Sequence, residues 1–315
     1  QNFYTYRLKE FGATRNPDFD EITNSLTRPY LEFSSKMGKG LNGYLGVSAA
    51  LTSGDQSVEP RLGMSLDLGE KNVISLGAGI YSMLLNPYNY YFNAGYGEIA
   101  FSPRSIQYDL INSYRGTIAH DLISQSWNLH TELFYYYFPE VNSLTSTDKE
   151  QAFTSGVSTQ LQKDFSGNAY LNLGASWFTA LVDDVQNYYD TQYSLTLSTG
   201  KEWDVSNDAK DRRLSLDFRG MYQGGFRPYL SSAFNSFQLV VLPADFYDQR
   251  AYLRFDLRVV WKRYHENRTT SIALDLQNVA NIENFAYQYY DSFKDQWEVQ
   301  NQLGLIPILA YRVEW

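Results

Sequence analysis

The chain has 315 residues, a formal net charge of -9 and an aromatic content of 17%, although its mean hydropathy is negative at -0.41. The acidic balance leaves no basic stripe for a nucleic-acid partner, and the absence of cysteine excludes disulfides and thiol catalysis. No stretch reaches the roughly 18 consecutive apolar residues of a membrane helix, so this chain could cross a membrane only as a closed β-barrel.

Apolar and polar residues alternate with a period of two along most of the sequence, which predicts β-strands with one apolar and one polar face. Strands are predicted near residues 28–37, 41–51, 57–68, 71–82, 105–119, 125–137, 150–163, 168–180, 189–203, 211–223, 250–262, 268–279 and 303–315, with a weaker strand near 2–10. We see no second domain, linker or low-complexity tract. We therefore predict one domain, residues 1–315, that is an all-β, transmembrane, antiparallel up-and-down β-barrel with about 14 strands in this chain.

Short turns and long loops alternate between the predicted strands. The longer connections lie near 83–104, 138–149, 224–249 and 280–302. If the carboxyl terminus lies in the periplasm, every short turn falls on the periplasmic side and every long loop lies outside, which is the asymmetry of outer-membrane barrels. An even strand count would then place both chain ends on the periplasmic side.

Charged residues of both signs alternate with apolar residues in two neighbouring predicted strands, 211–223 and 250–262. The predicted lumen-facing residues are Arg213, Asp217, Arg219, Arg254, Asp256 and Arg258. Because an unpaired charge is costly in a packed core, this pattern favours a wet or plug-filled lumen over a soluble sandwich. These charges could hold a plug or line a channel, and mutual ion pairing along the lumen wall is the simpler alternative.

Two of the long loops are rich in aromatic residues. The candidates for ligand contact are Tyr88, Tyr90, Tyr91 and Phe92 in the first of these loops and Tyr287, Tyr289, Tyr290 and Trp297 in the last. Stacked rings suit flat sugars, aromatic chelators or corrins, and ligand sites combine such surfaces with a few orienting polar groups. The alternative is that these rings belong to the aromatic girdle at the outer interface of the membrane.

The last predicted strand ends on an aromatic residue at the carboxyl terminus. Tyr311, Val313 and Trp315 share one face, whereas Arg312 and Glu314 lie on the other. Outer-membrane β-barrels end in this way: the spaced apolar residues suit recognition by the barrel-assembly machinery and contact with outer-membrane lipid at the periplasmic interface.

Patterns for catalysis or metal binding are weak. The histidines are His120, His130 and His265, and no serine, asparagine or aspartate stands at a recognisable spacing to His130, as a base oriented by a third group would require. The acidic pair Asp183-Asp184 is more simply a solvated loop than a calcium site. We predict no enzyme, no metal site and no cofactor.

Several segments resemble TonB-dependent outer-membrane receptors, especially those of Bacteroidetes. The segments similar to the last three strands of such receptors are Arg254 to Val259, Ser271 to Asn284 and Gly304 to Trp315, and upstream similarities lie at Gly200 to Trp203, Gln223 to Arg227 and Glu59 to Met64. The resemblance implies a location in the outer membrane of a Gram-negative bacterium. It also implies energised uptake of a scarce ligand, namely an iron chelate, cobalamin or a glycan.

This sequence differs from such receptors in one respect. Such receptors have about 22 strands around a plug domain, together with a segment that contacts TonB, and neither plug nor TonB segment is visible in this sequence. The chain would then be the carboxyl-terminal part of the barrel and would reach TonB through an upstream plug; glycan importers also use a surface lipoprotein. The alternative is a smaller barrel without a plug that serves as a structural or assembly platform for surface or secretion partners.

Overall fold

The computed structural model describes residues 2–9, 19–52, 54–84, 110–142, 149–183, 185–186, 190–207, 211–225, 250–291, 293–294 and 296–315. The strands are β1 (Asn2–Lys9), β2 (Phe19–Leu26), β3 (Tyr30–Lys36), β4 (Leu41–Leu51), β5 (Gln56–Asp67), β6 (Asn72–Leu84), β7 (Leu110–Ile123), β8 (Trp127–Asn142), β9 (Lys149–Ser166), β10 (Ala169–Val182), β11 (Val185–Gln186), β12 (Tyr193–Asp204), β13 (Asp211–Gln223), β14 (Tyr252–Tyr264), β15 (Thr269–Gln277), β16 (Phe285–Asp291), β17 (Gln296–Asn301) and β18 (Ile306–Glu314). Within the described residues, no helix is long and apolar enough to cross a lipid bilayer.

Most of these strands form one sheet of 14 strands. Thirteen of them follow a continuous antiparallel path from β3 to β18, in which β10 pairs with β12 and β15 pairs with β18; the two-residue β11 pairs only with the end of β10. Successive strands pair directly, as expected for antiparallel hairpins. The predicted all-β, antiparallel up-and-down fold is therefore confirmed, and the path has thirteen strands where about 14 were predicted.

The first part of the chain differs from the prediction. β1 pairs with β2 in a separate two-stranded sheet instead of forming the first strand of the wall, and the sequence pattern does not predict β2. Because the path contains thirteen antiparallel strands, β3 and β18 run in the same direction, and β3 begins at the end of the sheet opposite to the one where β18 finishes. The expectation of an even strand count, with both chain ends on one side, is therefore wrong for the described path. The sequence pattern of one strand does not identify the strand with which it pairs.

The connections distinguish the two ends of the sheet. The end with the turns near 37–40, 68–71, 124–126, 167–168 and 265–268 is called the turn end, and the opposite end, with the long connections, is called the loop end. One short connection lies at the loop end, where Thr52 Oγ1 accepts hydrogen bonds from the amides of Gly54 and Asp55 and so closes a tight turn. The prediction that every short turn lies on one side is wrong at this position.

The pairing register continues the two-faced pattern across the whole path. One row of directly paired residues on β5 to β10 consists of Met64, Leu76, Ile118, Leu133, Val157 and Trp177. A similar row on β13 to β18 consists of Leu216, Val259, Leu274 and Leu309. Since directly paired residues lie on the same side of a sheet, these rows form one continuous apolar face. The opposite side is called the polar face.

Three expectations about bounds change in the structure. The strand predicted at 105–119 is β7, which continues to Ile123, and residues 105–109 lie outside the described residues. The loop predicted at 138–149 is shorter, because β8 continues to Asn142 and β9 begins at Lys149. The loop predicted at 280–302 contains the hairpin β16–β17. The predicted loops near 83–104 and 224–249 lie largely outside the described residues.

Large apolar side chains are exposed on the apolar face instead of filling a core. Ile118 is 51% exposed and Trp177 is 67% exposed. The buried apolar cluster among the described residues is small and consists of Leu26, Ala50 and Leu110, with Leu84 packed against it. An uncovered apolar face of this extent indicates an apolar environment or a partner surface.

Candidate functional site

The last connection at the loop end carries four of the aromatic candidates in one structural unit. Tyr287, Tyr289 and Tyr290 belong to β16 and Trp297 to β17. In the antiparallel register of this hairpin Tyr290 is the partner of Trp297. The structure therefore places these candidates on one hairpin. The other aromatic candidates lie outside the described residues, namely Tyr88, Tyr90, Tyr91 and Phe92.

A buried asparagine attaches the base of this hairpin to the sheet. Asn284 Nδ2 donates to the carbonyl of Leu253 at 2.9 Å, and Asn284 Oδ1 accepts from the amide of Leu253 at 3.0 Å. Pairing between β14 and β15 stops at Leu257. The Asn284 side chain therefore replaces a strand partner for β14 beyond the end of β15, and this fixes the position of Phe285, where the hairpin begins.

A second buried asparagine shapes the segment between β15 and the hairpin. Asn278 Nδ2 donates to the carbonyls of Ile282 (2.8 Å) and Leu303 (3.3 Å), and its Oδ1 accepts from the amide of Ile282 (3.1 Å). Its own amide donates to Asp256 Oδ1 at 2.8 Å. The backbone of Asn278 has a φ of 51°, in the left-handed region where asparagine is enriched. The aromatic hairpin thus stands on a hydrogen-bonded base.

Charges on the polar face of β14 are paired with each other. Arg254 Nε donates to Asp256 Oδ1 at 2.7 Å, and Arg258 Nε lies 3.3 Å from Asp275 Oδ1 of β15. Arg219 of β13 is the register partner of Asp256. Arg254 and Asp256 thus pair with each other, and Arg258 pairs with an acid of the neighbouring strand.

The same arrangement continues on β13. Arg213 Nη1 donates to Glu202 Oε1 at 2.6 Å, and Asp217 Oδ1 accepts from the hydroxyl of Tyr170 at 3.0 Å. The polar face of β12 to β18 lines an open cavity of about 1030 Å³. The six charged candidates therefore lie together on one face, which the register separates from the apolar one.

The other half of the polar face contains a carboxylate that the sequence analysis does not single out. Glu59 of β5 is fully buried; its Oε2 accepts from Ser48 Oγ (2.6 Å) and Arg61 Nη2 (2.7 Å), and its Oε1 accepts from the amide (3.0 Å) and the hydroxyl of Ser82. Arg28 Nη2 lies 3.4 Å from Oε1. These five residues are called the Glu59 cluster. Two cations and two hydroxyl groups satisfy a charge that would be very costly if buried alone.

Guanidinium groups and phenol rings alternate beside this cluster, from β5 to β8. Arg61 Cζ lies 4.5 Å and Arg115 Cζ 4.8 Å from the centroid of the Tyr81 ring, and Arg115 also lies 5.2 Å from the Tyr136 ring. Gly79 is the register partner of both arginines, and a Cβ at this glycine would lie 3.0 Å from Arg61 Cγ. The missing side chain of Gly79 leaves room for this Arg–Tyr ladder.

The predicted assembly residues lie at the exposed edge of the sheet. Tyr311 pairs with Ile272 on the apolar face, and Val313 follows on the same face. Trp315 is 90% exposed at the turn end, and Arg268 Cζ lies 5.7 Å from the centroid of its ring.

A histidine–aspartate contact occurs near the turn end, although sequence spacing does not suggest it. His130 Nδ1 lies 2.6 Å from Asp121 Oδ1, because the two residues are register partners across the β7–β8 hairpin. Within the described part of the chain no hydroxyl group is hydrogen-bonded to His130. No group of three His, Cys, Asp or Glu residues in that same part is arranged to hold a metal ion.

No protein-family model matches the sequence, and no curated protein matches it at a significant level. Solved structures do match. The ferric yersiniabactin uptake receptor FyuA from Yersinia pestis has a TM-score of 0.65 and 12% identity, over 94% of this chain and 46% of the receptor. The ferric-catecholate import receptor Fiu from K12 E. coli has a TM-score of 0.63 and 12% identity, over 95% of this chain and 46% of the receptor. The siderophore receptor PiuA from Acinetobacter baumannii has a TM-score of 0.61 and 13% identity, with the same coverage of 95% and 46%.

At this level of identity the similarity establishes the fold. The sheet is the wall of a β-barrel of the kind found in TonB-dependent receptors. The chain spans less than half the length of the receptors it matches.

Proposed function

We propose that this chain forms the carboxyl-terminal part of the barrel of a TonB-dependent receptor, which takes up a scarce ligand across the outer membrane of a Gram-negative bacterium. The observation that carries this proposal is the thirteen-strand path with one continuous apolar face, since it has the fold of the receptor barrels. In this proposal the apolar face contacts lipid and the polar face lines the lumen. The loop end lies outside the cell, and the turn end lies in the periplasm.

The edges of the sheet support a barrel with more strands. Among the described residues, β3 and β18 each pair with one strand of the main sheet only. Tyr30 on β3 is 81% exposed and Leu309 on β18 is 75% exposed. Unpaired backbone N–H and C=O groups cannot face hydrocarbon without a large free-energy cost. We infer that both edges pair with further strands of a barrel of about 22 strands, and that an upstream plug fills the lumen and contacts TonB.

We favour an iron chelate as the ligand. The receptors of similar structure are named for ferric yersiniabactin, ferric catecholates and siderophores. Aromatic residues on the hairpin β16–β17 and in the segment containing Tyr88 would supply rings for an aromatic chelator, and Arg115 in the Arg–Tyr ladder would favour an anionic ligand inside the lumen. Cobalamin and glycans are the competing ligands, and a glycan would add a surface lipoprotein to the partners.

The terminal strand supports the same location. In this proposal Tyr311, Val313 and Trp315 form the element that the barrel-assembly machinery recognises, and afterwards they contact lipid at the periplasmic interface. The segments that resemble Bacteroidetes receptors are the basis for proposing that phylum as the source.

Uptake by cells tests the proposal. In the bacterium that makes this protein, the coding sequence is disrupted, and uptake of a radiolabelled ferric catecholate, labelled cobalamin and a fluorescent oligosaccharide is measured with and without a protonophore. We expect the disruption and the protonophore each to abolish uptake of the ferric catecholate.

Matched variants locate the ligand-binding part. A variant with residues 285–301 replaced by a short turn should enter the outer membrane but should not restore uptake, whereas Arg258→Gln on the wall should restore it. Unchanged uptake of all three probes after disruption would contradict the receptor function. That result, in a strain whose parent carries the protein in its outer membrane, would favour the platform role.

A further inference from the structure

Two arginines face each other on the apolar face at the turn end. Arg212 of β13 is the direct register partner of Arg263 of β14, and two residues further into the sheet Leu214 is the partner of Trp261. Because residues two apart on a strand share a face, both arginines lie on the face that carries Leu214 and Trp261. They mark the border between the apolar face and the turns.

Neither guanidinium has a counter-charge in the described part of the chain. No ion pair or side-chain hydrogen bond joins Arg212 or Arg263 to a described residue, and the Nε atoms of both are buried without an acceptor. Like charges directly opposite each other destabilise a strand pair. On the polar face the neighbouring Arg213 also has a buried Nε without an acceptor, but its Nη1 binds Glu202 at 2.6 Å. The arginine pair can therefore accept an anion from outside these residues.

Further cations next to indole rings lie at the same end of the sheet. Lys201 Nζ lies 5.5 Å from the ring centroid of Trp203, and Arg268 Cζ lies 5.7 Å from that of Trp315. Tryptophan and basic residues together are typical of the level of lipid headgroups.

The acidic residues nearby do not neutralise this end. Asp211 accepts a hydrogen bond from Ser206 Oγ at 3.1 Å, and Asp211 and Glu266 line a cavity of about 760 Å³ together with Arg263. Neither acid forms an ion pair with a cation in the described part of the chain. Partial burial, followed by the charges of Arg263 and Arg268, lowers the pKa of His265 in the adjoining turn, which agrees with a positive local potential.

We propose that Arg212 and Arg263 bind the phosphate group of an anionic phospholipid in the inner leaflet of the outer membrane. A phosphate offers charged oxygens to both guanidinium groups, which is a geometry that arginine favours. The acyl chains of the same lipid would cover Leu214 and Trp261, and this combination of a phosphate site with an adjoining apolar surface distinguishes a lipid from a free anion. The inference rests on the proposed function, because it needs the turn end to lie at the periplasmic interface.

Lipid retention measures this binding directly. The folded protein in detergent micelles is equilibrated with equal amounts of palmitoyl-oleoyl phosphatidylglycerol and palmitoyl-oleoyl phosphatidylcholine, and bound lipids are counted by native mass spectrometry. We expect preferential retention of phosphatidylglycerol. The preference should fall about fivefold for each guanidinium removed, hence about 25-fold in a variant with both Arg212→Gln and Arg263→Gln. Replacing both by lysine should keep most of the preference.

The control removes the same charge from the opposite face. Arg312 lies on the polar face near the turn end and binds Glu314, so Arg312→Gln should leave the preference unchanged. If the double variant does not fold, as judged by heat-modifiable gel mobility, Arg263→Gln alone should still show the fivefold loss.

Three results would overturn the inference: equal retention of both lipids by the unaltered protein, an unchanged preference in the glutamine variants, or displacement of phosphatidylglycerol by inorganic phosphate alone. The last result would assign the arginine pair to a soluble anion. A protein that fails to insert into vesicles of the same two lipids would instead contradict the membrane location on which the proposed function depends. The two failures are thus distinguishable.

Discussion

On β4 to β8 of the polar face one fully buried carboxylate, Glu59, is shared by two guanidinium groups, whereas on β12 to β15 the ion pairs are separate and lie beside an open cavity. The side chain of Glu59 has no exposed surface, while Arg258 and its partner Asp275 are 55% and 26% exposed. The Glu59 carboxylate and the Arg258–Asp275 pair therefore lie under different dielectric conditions.

The difference shows that a polar face is not energetically uniform. Exposed ion pairs contribute little to stability because water screens them, so the partly exposed pairs on β13 and β14 should contribute little to the stability of the sheet. Burial makes the Glu59 cluster different, because loss of one partner there leaves an uncompensated charge. Arg28 also connects the segment after β2 to Ser82 of β6, so the cluster joins parts of the chain that are far apart in sequence.

Removing the buried carboxylate should have the largest effect. Glu59→Leu leaves the Ser48 hydroxyl and the Ser82 amide and hydroxyl without their acceptor, at about 1–3 kcal/mol for each buried group, and it should lower the free energy of unfolding by about 3–5 kcal/mol in total. Asp275→Asn, which breaks a partly exposed pair, should cost about 0–1 kcal/mol. Urea unfolding of both variants in lipid vesicles compares the two halves, and equal costs would show that they do not differ.

A charge on the apolar face should be nearly as disruptive. Leu257 and Arg258 are neighbours on β14 and lie on opposite faces. Leu257→Arg should cost about 2–4 kcal/mol if residue 257 lies near the middle of the bilayer, whereas Arg258→Leu should cost far less. The same unfolding assay checks this. Similar costs for both changes would contradict the assignment of the faces.

Loss of the asparagine that replaces a strand partner should act locally. Asn284→Ala leaves the amide and carbonyl of Leu253 without partners, and a cost of about 1–3 kcal/mol is expected for an unsatisfied buried group. Hydrogen exchange at the Leu253 amide should accelerate, while Gln300→Ala on the exposed hairpin should leave this rate unchanged. An equally protected Leu253 amide in both variants would argue against the role of Asn284.

The Arg–Tyr ladder should show the smallest effect. Tyr81 contacts two guanidinium groups and Tyr136 one. At about 0.5–1 kcal/mol for each cation–π contact, Tyr81→Leu should cost about twice as much as Tyr136→Leu beyond their common loss of ring packing. A larger loss of stability for Tyr136→Leu than for Tyr81→Leu in unfolding experiments would contradict this contribution of the cation–π contacts.

The strands of the wall could be predicted from the sequence because the alternation of apolar and polar residues is a local pattern. Period-two alternation places Leu257 and Arg258 on opposite faces without any knowledge of their partners, and the register carries that pattern from β3 to β18. The same locality explains the error in the first segment, since β1 alternates weakly and nothing local indicates that its partner is β2.

The Glu59 cluster and the base of the hairpin could not be predicted in this way. Ser48, Ser82 and Arg28 meet Glu59 only after three connections have formed. Alternation does place Glu59 on the face of Arg61, which was the one available indication. For the hairpin base, the indication was the recurrence of asparagine at 278, 281 and 284 after a strand, because asparagine adopts left-handed φ and forms local hydrogen bonds readily.

The most direct test of the central claim, that the apolar face contacts lipid and the polar face lines an aqueous lumen, is site-directed spin labelling in lipid vesicles. The chain has no cysteine, so Leu257→Cys, Arg258→Cys, Val259→Cys and Lys262→Cys each give one labelled position. Collision rates with oxygen should dominate at 257 and 259, and collision rates with a water-soluble nickel chelate should dominate at 258 and 262. Loss of this alternation, or its reversal, would contradict the account.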